Sequence, residues 1–227
     1  MPHALMLFAA GFGTRMGALT KDRPKPLIEV AGKPLIDHAI DLTAGNGLTL
    51  VANSHYHADQ IAAHLAPRGV AVNHEPEQIL ETGGGLRAAL PLLGQGPVFT
   101  LNTDAVWTGE GVIARMRAAW DPARMEALLL LVPRARARGY AGAGDFIRSD
   151  DGRITRGAGD VYTGLQIINP LGINDISEKS FSLNRLWDQM MARGTLFGLL
   201  HEGAWCDVGR PESIALAEAM LQGPRDV

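Results

Sequence analysis

Cysteine, long apolar runs and an excess of either charge are scarce or missing in this chain, and each absence excludes a class of protein. Cys206 is the single cysteine among 227 residues, so no internal disulfide can form and a reducing, cytoplasmic setting is expected. No apolar run approaches the ~20 residues that a bilayer span requires. The apolar opening from Ala4 to Ala10 lacks a preceding Lys or Arg and runs straight into a glycine-rich turn, which is not the layout of a secretion signal. Net charge is −3 with acids and bases interspersed. No basic stripe offers itself to nucleic acid or an anionic membrane, and neither is expected as a partner. Internal repeats and low-complexity tracts are absent too. At 46% apolar, the chain can build a sizeable core and suits a single α/β domain.

Two common glycine loops are also missing. The dinucleotide fingerprint needs Gly-x-Gly-x-x-Gly, but Gly11 and Gly13 are followed by Gly17, one position too late for close helix–strand packing. The Gly-Lys-Ser/Thr of a P-loop is absent. What stands at 9–26 is Ala-Ala-Gly-Phe-Gly-Thr-Arg-Met-Gly-Ala-Leu-Thr-Lys-Asp-Arg-Pro-Lys-Pro, directly after an apolar strand-like run. A glycine turn in that position exposes backbone N–H groups that can cradle phosphate oxygens. Arg15 and Lys25 add fixed positive charge beside it, so phosphate chemistry is the expectation.

Elsewhere, strand-like and helix-like stretches alternate. Strands are expected at 4–9, 48–53, 70–73, 97–101 and 127–132. Between them, helical patterns open at Lys33-Pro34 and run over 57–65 and 110–120, while 82–93 reads as loop passing into helix. Such βα alternation implies a mostly parallel sheet with helices on both faces. Beyond Pro133 the pattern loosens into glycine-rich hairpins and loops, then strands at 163–168, 196–200 and 205–208 and helices at 183–192 and 213–221.

Ligands in open α/β sheets bind at the carboxyl ends of the strands. Asp104 and Asp207 each follow or end a strand, and two carboxylates plus substrate phosphates suit Mg²⁺. The run Glu81-Thr82-Gly83-Gly84-Gly85 lets backbone approach a flat base closely. Asp145 can accept hydrogen bonds from sugar hydroxyls, and Thr163-Gly164 can approach a sugar phosphate. Asn53 and Asn102, at strand ends, can reach a sugar or ribose. Arg134, Arg136 and Arg138 alternate with alanine and could bind a carboxylate bidentately. His55 and His57 have no third ligand at zinc spacing.

Gly11 to Met16, Leu19-Thr20 and Pro24 to Leu27, with Asn102-x-Asp104 and Trp205-x-Asp207-Val208-Gly209, resemble the signature of the sugar-1-phosphate nucleotidyltransferases. Leu80 to Gly85, Ala89 to Gly94 and Gly144-Asp145-Phe146 are similar to the branch that uses UTP and N-acetylmuramate 1-phosphate. Mannose, heptose, glucose and N-acetylglucosamine 1-phosphates are the alternatives. The resemblance implies a Rossmann-like three-layer αβα fold with a mostly parallel sheet (GT-A-like) and a small sugar-binding β lobe. A nucleotide-binding half at 1–132 and a sugar-phosphate-binding half at 133–227 would form one domain. It further implies Arg15 and Lys25 as catalytic; Ala10, Gly11, Gly13, Thr14, Glu81, Thr82 and Gly83 as further nucleotide contacts; and Asn53, Asn102, Gly144, Asp145, Thr163 and Gly164 around the sugar phosphate. Mg²⁺ would sit on Asp104 and Asp207. Nucleoside triphosphate and sugar 1-phosphate are the implied partners. Two other classes remain open. A glycosyltransferase would hold metal with Asp-x-Asp, of which Asn102-Thr103-Asp104 is half, and a nucleotide sensor would have lost Lys25 or an aspartate.

Overall fold

The computed structural model describes residues 1–223. Along the chain run β1 (Ala4–Phe8), β2 (Glu29–Val30), β3 (Lys33–Pro34) and α1 (Leu35–Asp41), then β4 (Thr49–Ser54), α2 (Ala58–Leu65) and β5 (Ala71–His74). There follow α3 (Glu81–Leu93), β6 (Val98–Asn102), β7 (Ala105–Trp107), α4 (Val112–Ala119) and β8 (Ala127–Val132). The remainder is β9 (Ala137–Arg138), β10 (Phe146–Arg148), β11 (Ile154–Arg156), β12 (Val161–Ile168), α5 (Asn184–Arg193), β13 (Leu196–Leu200), β14 (Trp205–Asp207) and α6 (Glu212–Gln222).

A seven-stranded sheet in the order β13-β8-β12-β6-β1-β4-β5 forms the middle layer. All pairings are parallel except those of β12, which runs antiparallel to both β6 and β8. The strands read as continuous apolar runs because both faces are covered. In β8, Leu128, Leu130 and Val132 face one core with α1, α2 and α4, while Ala127, Leu129 and Leu131 face the other with α3 and α5. The expected αβα layering is therefore present. The later part of the chain does more than form a lobe, since β12 and β13 complete the main sheet. Outside the main sheet stand the β2–β3 and β10–β11 hairpins and a three-stranded sheet, β7-β14-β9.

β12 has a functional consequence. Because it runs against its neighbours, its first residues, Val161 to Gly164, lie at the carboxyl edge of β6. A register shift between Tyr162 and Gln166 and the φ of +91° at Gly164 bring that backbone against Asn102, where a Cβ on Gly164 would stand 2.8 Å from the Asn102 Cβ.

The glycine run differs from the sequence expectation. Residues 82–93 are not loop passing into helix, because α3 is helical from Glu81 onward. Each glycine in a helix interior costs up to about 1 kcal/mol relative to alanine, yet three occur in succession here. The reason is close approach. A Cβ on Gly83 would meet the Phe181 ring at 2.3 Å, one on Gly84 the Lys179 carbonyl oxygen at 2.5 Å, and one on Gly85 the Asn53 Nδ2 at 2.9 Å. Gly83→Ala is therefore expected to destabilise by about 1–3 kcal/mol, the usual cost of overpacking. Thermal denaturation would show a fall of roughly 2–12 °C at this chain length.

Candidate active site

The turn after β1 supplies the first wall. Gly13 has φ +64°, and a Cβ there would collide with Lys25 Cβ at 2.7 Å and Thr20 Cγ2 at 2.9 Å. Only glycine lets the Lys25 stem pass across the turn. Thr20 Oγ1 donates to the carbonyls of Gly13 and Gly17, fixing the turn from within. Tyr56 Oη donates to the carbonyls of Thr20 and Lys21, tying the same turn to the β4–α2 connection.

Lys25 reaches the opposite wall, where its Nζ lies 2.9 Å from Asp104 Oδ2; the lysine side chain is 11% exposed and the aspartate 33%. Asp104 follows β6, and its carbonyl accepts from Val208 N–H at 2.8 Å. Asp207 pairs in register with Ala105 across β14 and β7. Alternation along β14 puts Asp207 on the face of Trp205, whose Nε1 donates to Thr163 O at 3.0 Å. The two aspartates are thus neighbours. Burial, and secondly the Asp104 charge, push the Asp207 carboxyl up to about 6, against the pull of Lys25, Arg15 and Arg210. Arg15 is exposed and lies over Gly209, where a Cβ would stand 3.1 Å from its Nη1 and 2.8 Å from Asp207 Oδ2.

Lys25 and Asp104 line a cleft together with Ala10, Gly11, Glu81, Thr82 and Asn102; Asp207 stands behind Asp104, and Arg15 lies over Gly209 beside it. Pro26, Ile79 and Thr103 line the cleft too; Pro26 and Thr103 stand inside the sequence patterns quoted above, whereas no pattern pointed to Ile79. Thr103 Oγ1 donates to Phe8 O at 2.7 Å, stitching the ends of β1 and β6 together. Glu81 has φ +58°, a strained conformation for a residue with a Cβ, of the kind that collects at functional sites. Thr14 is exposed in the 3₁₀ turn beside Arg15.

Three expected contacts are placed elsewhere. Gly83 is buried, with its N–H on Phe181 O at 2.8 Å, so its backbone is spent on packing and does not face a base. Asn53 is 3% exposed; its Oδ1 accepts from Ala9 N–H and its Nδ2 donates to Glu75, which leaves it inside the wall. Thr163 is 1% exposed, and its Oγ1 donates to Leu130 O while its carbonyl takes the Trp205 indole. Asp145 is half-buried: Oδ1 accepts from Tyr140 Oη and Oδ2 from Tyr162 N–H, both at 2.8–2.9 Å. Gly144 has φ +123° and stacks on Gly159, whose carbonyl would be 2.4 Å from a Cβ there.

The arginine triad does not converge. Arg134 Nε donates to Gly142 O, and Arg136 donates to His201 O and Glu202 O. Arg138 pairs with Cys206, on the face of β9 opposite Ala137. Ala137 shares a core with Trp205, so Arg138 faces away from Asp207.

A strand edge that gathers cations beside a glycine turn and paired carboxylates is equipped for nucleotidyl transfer. The family model of the MobA-like NTP transferase domain matches residues 5–155, and the chain belongs to that family. Within it, the chain is a sugar-1-phosphate nucleotidyltransferase. It is 44% identical to the N-acetylmuramate alpha-1-phosphate uridylyltransferase of Caulobacter vibrioides over 97% of both chains. It is 33% identical to the enzyme of the same name from Neisseria meningitidis, over 95% of this chain and 96% of that one. The fold is shared with HddC of Yersinia pseudotuberculosis, solved with GMP-PN, at a TM-score of 0.74 and 20% identity, covering 97% of this chain and 100% of that one.

Proposed function

We propose that the protein transfers the uridylyl group of UTP to N-acetylmuramate 1-phosphate, giving the UDP-sugar and pyrophosphate. The observation that carries the chemistry is the Lys25–Asp104 pair lining the cleft, with Asp207 and Arg15 close enough to share its charge. The choice of substrates rests on the two uridylyltransferase relatives. An oxygen of the sugar phosphate attacks the α-phosphorus of UTP in line. The bond from the α-phosphorus to the bridging oxygen breaks, and that oxygen leaves with pyrophosphate. The nucleophile is already an anion near pH 7, so no general base is needed and catalysis consists of positioning and electrostatics.

Backbone at Ala10, Gly11 and Gly13 cradles the triphosphate. Lys25 draws in the α-phosphate, and Arg15 offsets charge building on the departing pyrophosphate. Glu81 and Thr82 border the base. Asn102, Gly144, Asp145 and Gly164 border the sugar phosphate, with Thr163 supporting them from behind, while Asn53 backs the phosphate turn through Ala9. Among the described residues no cluster of three His, Cys, Asp or Glu side chains could hold a metal. Two carboxylates still fit Mg²⁺, which takes its other ligands from phosphate and water. Burial first, and the Asp104 charge second, disfavour an ionised Asp207, and a cation bound between the two carboxylates would relieve both. When bound, Mg²⁺ would neutralise the phosphates and orient them for in-line displacement. We place the reaction in the cytoplasm.

Released pyrophosphate, scored for four triphosphates against a panel of sugar 1-phosphates, tests the assignment. UTP with N-acetylmuramate 1-phosphate should give the highest kcat/KM; a higher value for any other pair would overturn the substrate reading. Arg138→Ala should leave the KM for the sugar phosphate unchanged in the same assay, because its side chain is on the wrong face.

A further inference from the structure

Two segments far apart in sequence bound the cleft: the 9–11 turn and the entrance of α3 at 79–82. A buried polar relay joins them. Ala9 N–H donates to Asn53 Oδ1 at 2.8 Å, Asn53 Nδ2 donates to Glu75 Oε1 at 2.7 Å, and Leu80 N–H donates to Glu75 Oε2 at 2.8 Å. Glu75 is 2% exposed, a rare state for a carboxylate and a costly one unless its oxygens are bonded. Its main chain is pinned as well, by its N–H to Ser54 O at 2.8 Å and by its carbonyl, which accepts from His55 Nδ1 at 2.6 Å. Gly85 leaves the space the relay occupies, since a Cβ there would be 2.9 Å from Asn53 Nδ2 and 3.0 Å from Glu75 Oε1.

We propose that Glu75 is a positioning residue for the nucleotide: through Asn53 it sets the spacing between the phosphate turn and the base-side entrance of α3. The proposal rests on the reading of this cleft as the UTP site. Glu75 touches no substrate and acts through the two backbone segments it ties.

The relay has a strict donor–acceptor order. Both ends, Ala9 N–H and Leu80 N–H, are donors, so the pair between them must present an acceptor outward on each side and one donor inward. Asn53 and Glu75 satisfy this. Glu75→Gln puts two amides between two donors, and no flip of either amide removes the clash; it only moves between the inside of the pair and one end. Asn53→Asp combined with Glu75→Gln restores every bond with the inner donor reversed. The new carboxylate at position 53 would accept from Ala9 N–H and from the new amide at position 75, whose oxygen would accept from Leu80 N–H. Net charge is unchanged.

Steady-state kinetics on the Mg²⁺-loaded full-length enzyme test the idea, using UTP and sugar 1-phosphate as separate variables. Glu75→Gln should raise the KM for UTP about tenfold or more, the scale of one lost hydrogen bond to a charged group. Its kcat should fall by less than that factor, and its KM for the sugar phosphate should stay within about twofold of the parent's. The double variant should return the KM for UTP to within about threefold of the parent's. A lower melting temperature in Glu75→Gln with an unchanged KM for UTP would show a purely structural role and overturn the proposal. So would a folded double variant whose KM for UTP stays high. Should Glu75→Gln fail to fold, the double variant decides alone: folded with the parent's KM supports the relay, and unfolded refutes it. The unmodified enzyme, run in parallel with all four triphosphates, keeps the two readings apart. If it prefers another triphosphate, the UTP assignment fails and the relay is scored with that nucleotide.

Discussion

Asp207→Asn is expected to remove most of the activity while making the metal-free protein more stable at neutral pH. The variant loses one carboxylate of the cation-seeking pair, and a lost electrostatic contact to the reacting phosphates costs on the order of 10²–10³ in kcat. The stability gain follows from the raised carboxyl. Asp207 in the folded protein titrates at about 6, because burial and the neighbouring Asp104 disfavour its charge. In the unfolded chain it titrates near 3.9. The folded state therefore holds more protons between those values, and stability falls as pH rises through the window. Above about pH 6 the ionised Asp207 costs the metal-free protein about 2–3 kcal/mol, which asparagine does not. Thermal unfolding in a chelator, from pH 4 to 8, should show the variant and parent converging at low pH and the variant several degrees higher at pH 7–8. Adding Mg²⁺ should raise the parent far more than the variant. A variant that unfolds earlier than its parent at pH 8 in chelator would contradict the account of the pair.

Lys25→Ala should likewise cost on the order of 10²–10³ in kcat. The ammonium is held at the mouth of the cleft by Asp104 and by the passage that Gly13 leaves open, so its charge is fixed where the α-phosphate must sit. The alanine variant should fold but melt lower than the parent, because the lost pair is only partly solvated, with the lysine side chain 11% exposed and the aspartate 33%, and removing one partner leaves the other charge uncompensated. Lys25→Arg should not restore the rate, since a guanidinium is wider than an ammonium and presents a planar fork to a passage closed on one side by Thr20. Pyrophosphate release measures both variants. A kcat for Lys25→Ala within threefold of the parent's would remove Lys25 from the mechanism.

The groups that carry these predictions were legible in the sequence because their signals are local. A strand followed by glycines and cations, and a carboxylate one step beyond a strand, need no knowledge of distant segments. What was not legible depends on neighbours remote in the chain. The glycines of α3 look like a base-facing turn until Phe181 and Lys179, about a hundred residues later, are seen to fill the space beside Gly83 and Gly84. Asn53 ends a strand, as a ligand would, yet its carboxamide is consumed by Ala9 and Glu75. Nothing within several residues of position 53 announces that. The strand β7 was hidden by the turn at Asp104, and its role is to bring β14, and with it Asp207, to the site. The antiparallel β12 reads as an ordinary strand in sequence; only the sheet order shows that its beginning lies at the carboxyl edge.

The most direct measurement is a crystal grown with UTP and Mn²⁺, with the metal located by anomalous scattering. One metal position contacting both Asp104 and Asp207, with the α-phosphate within reach of Lys25 Nζ, is the result this account predicts. A metal bound by only one of these aspartates, or UTP phosphates seated away from the turn at 10–15, would contradict it.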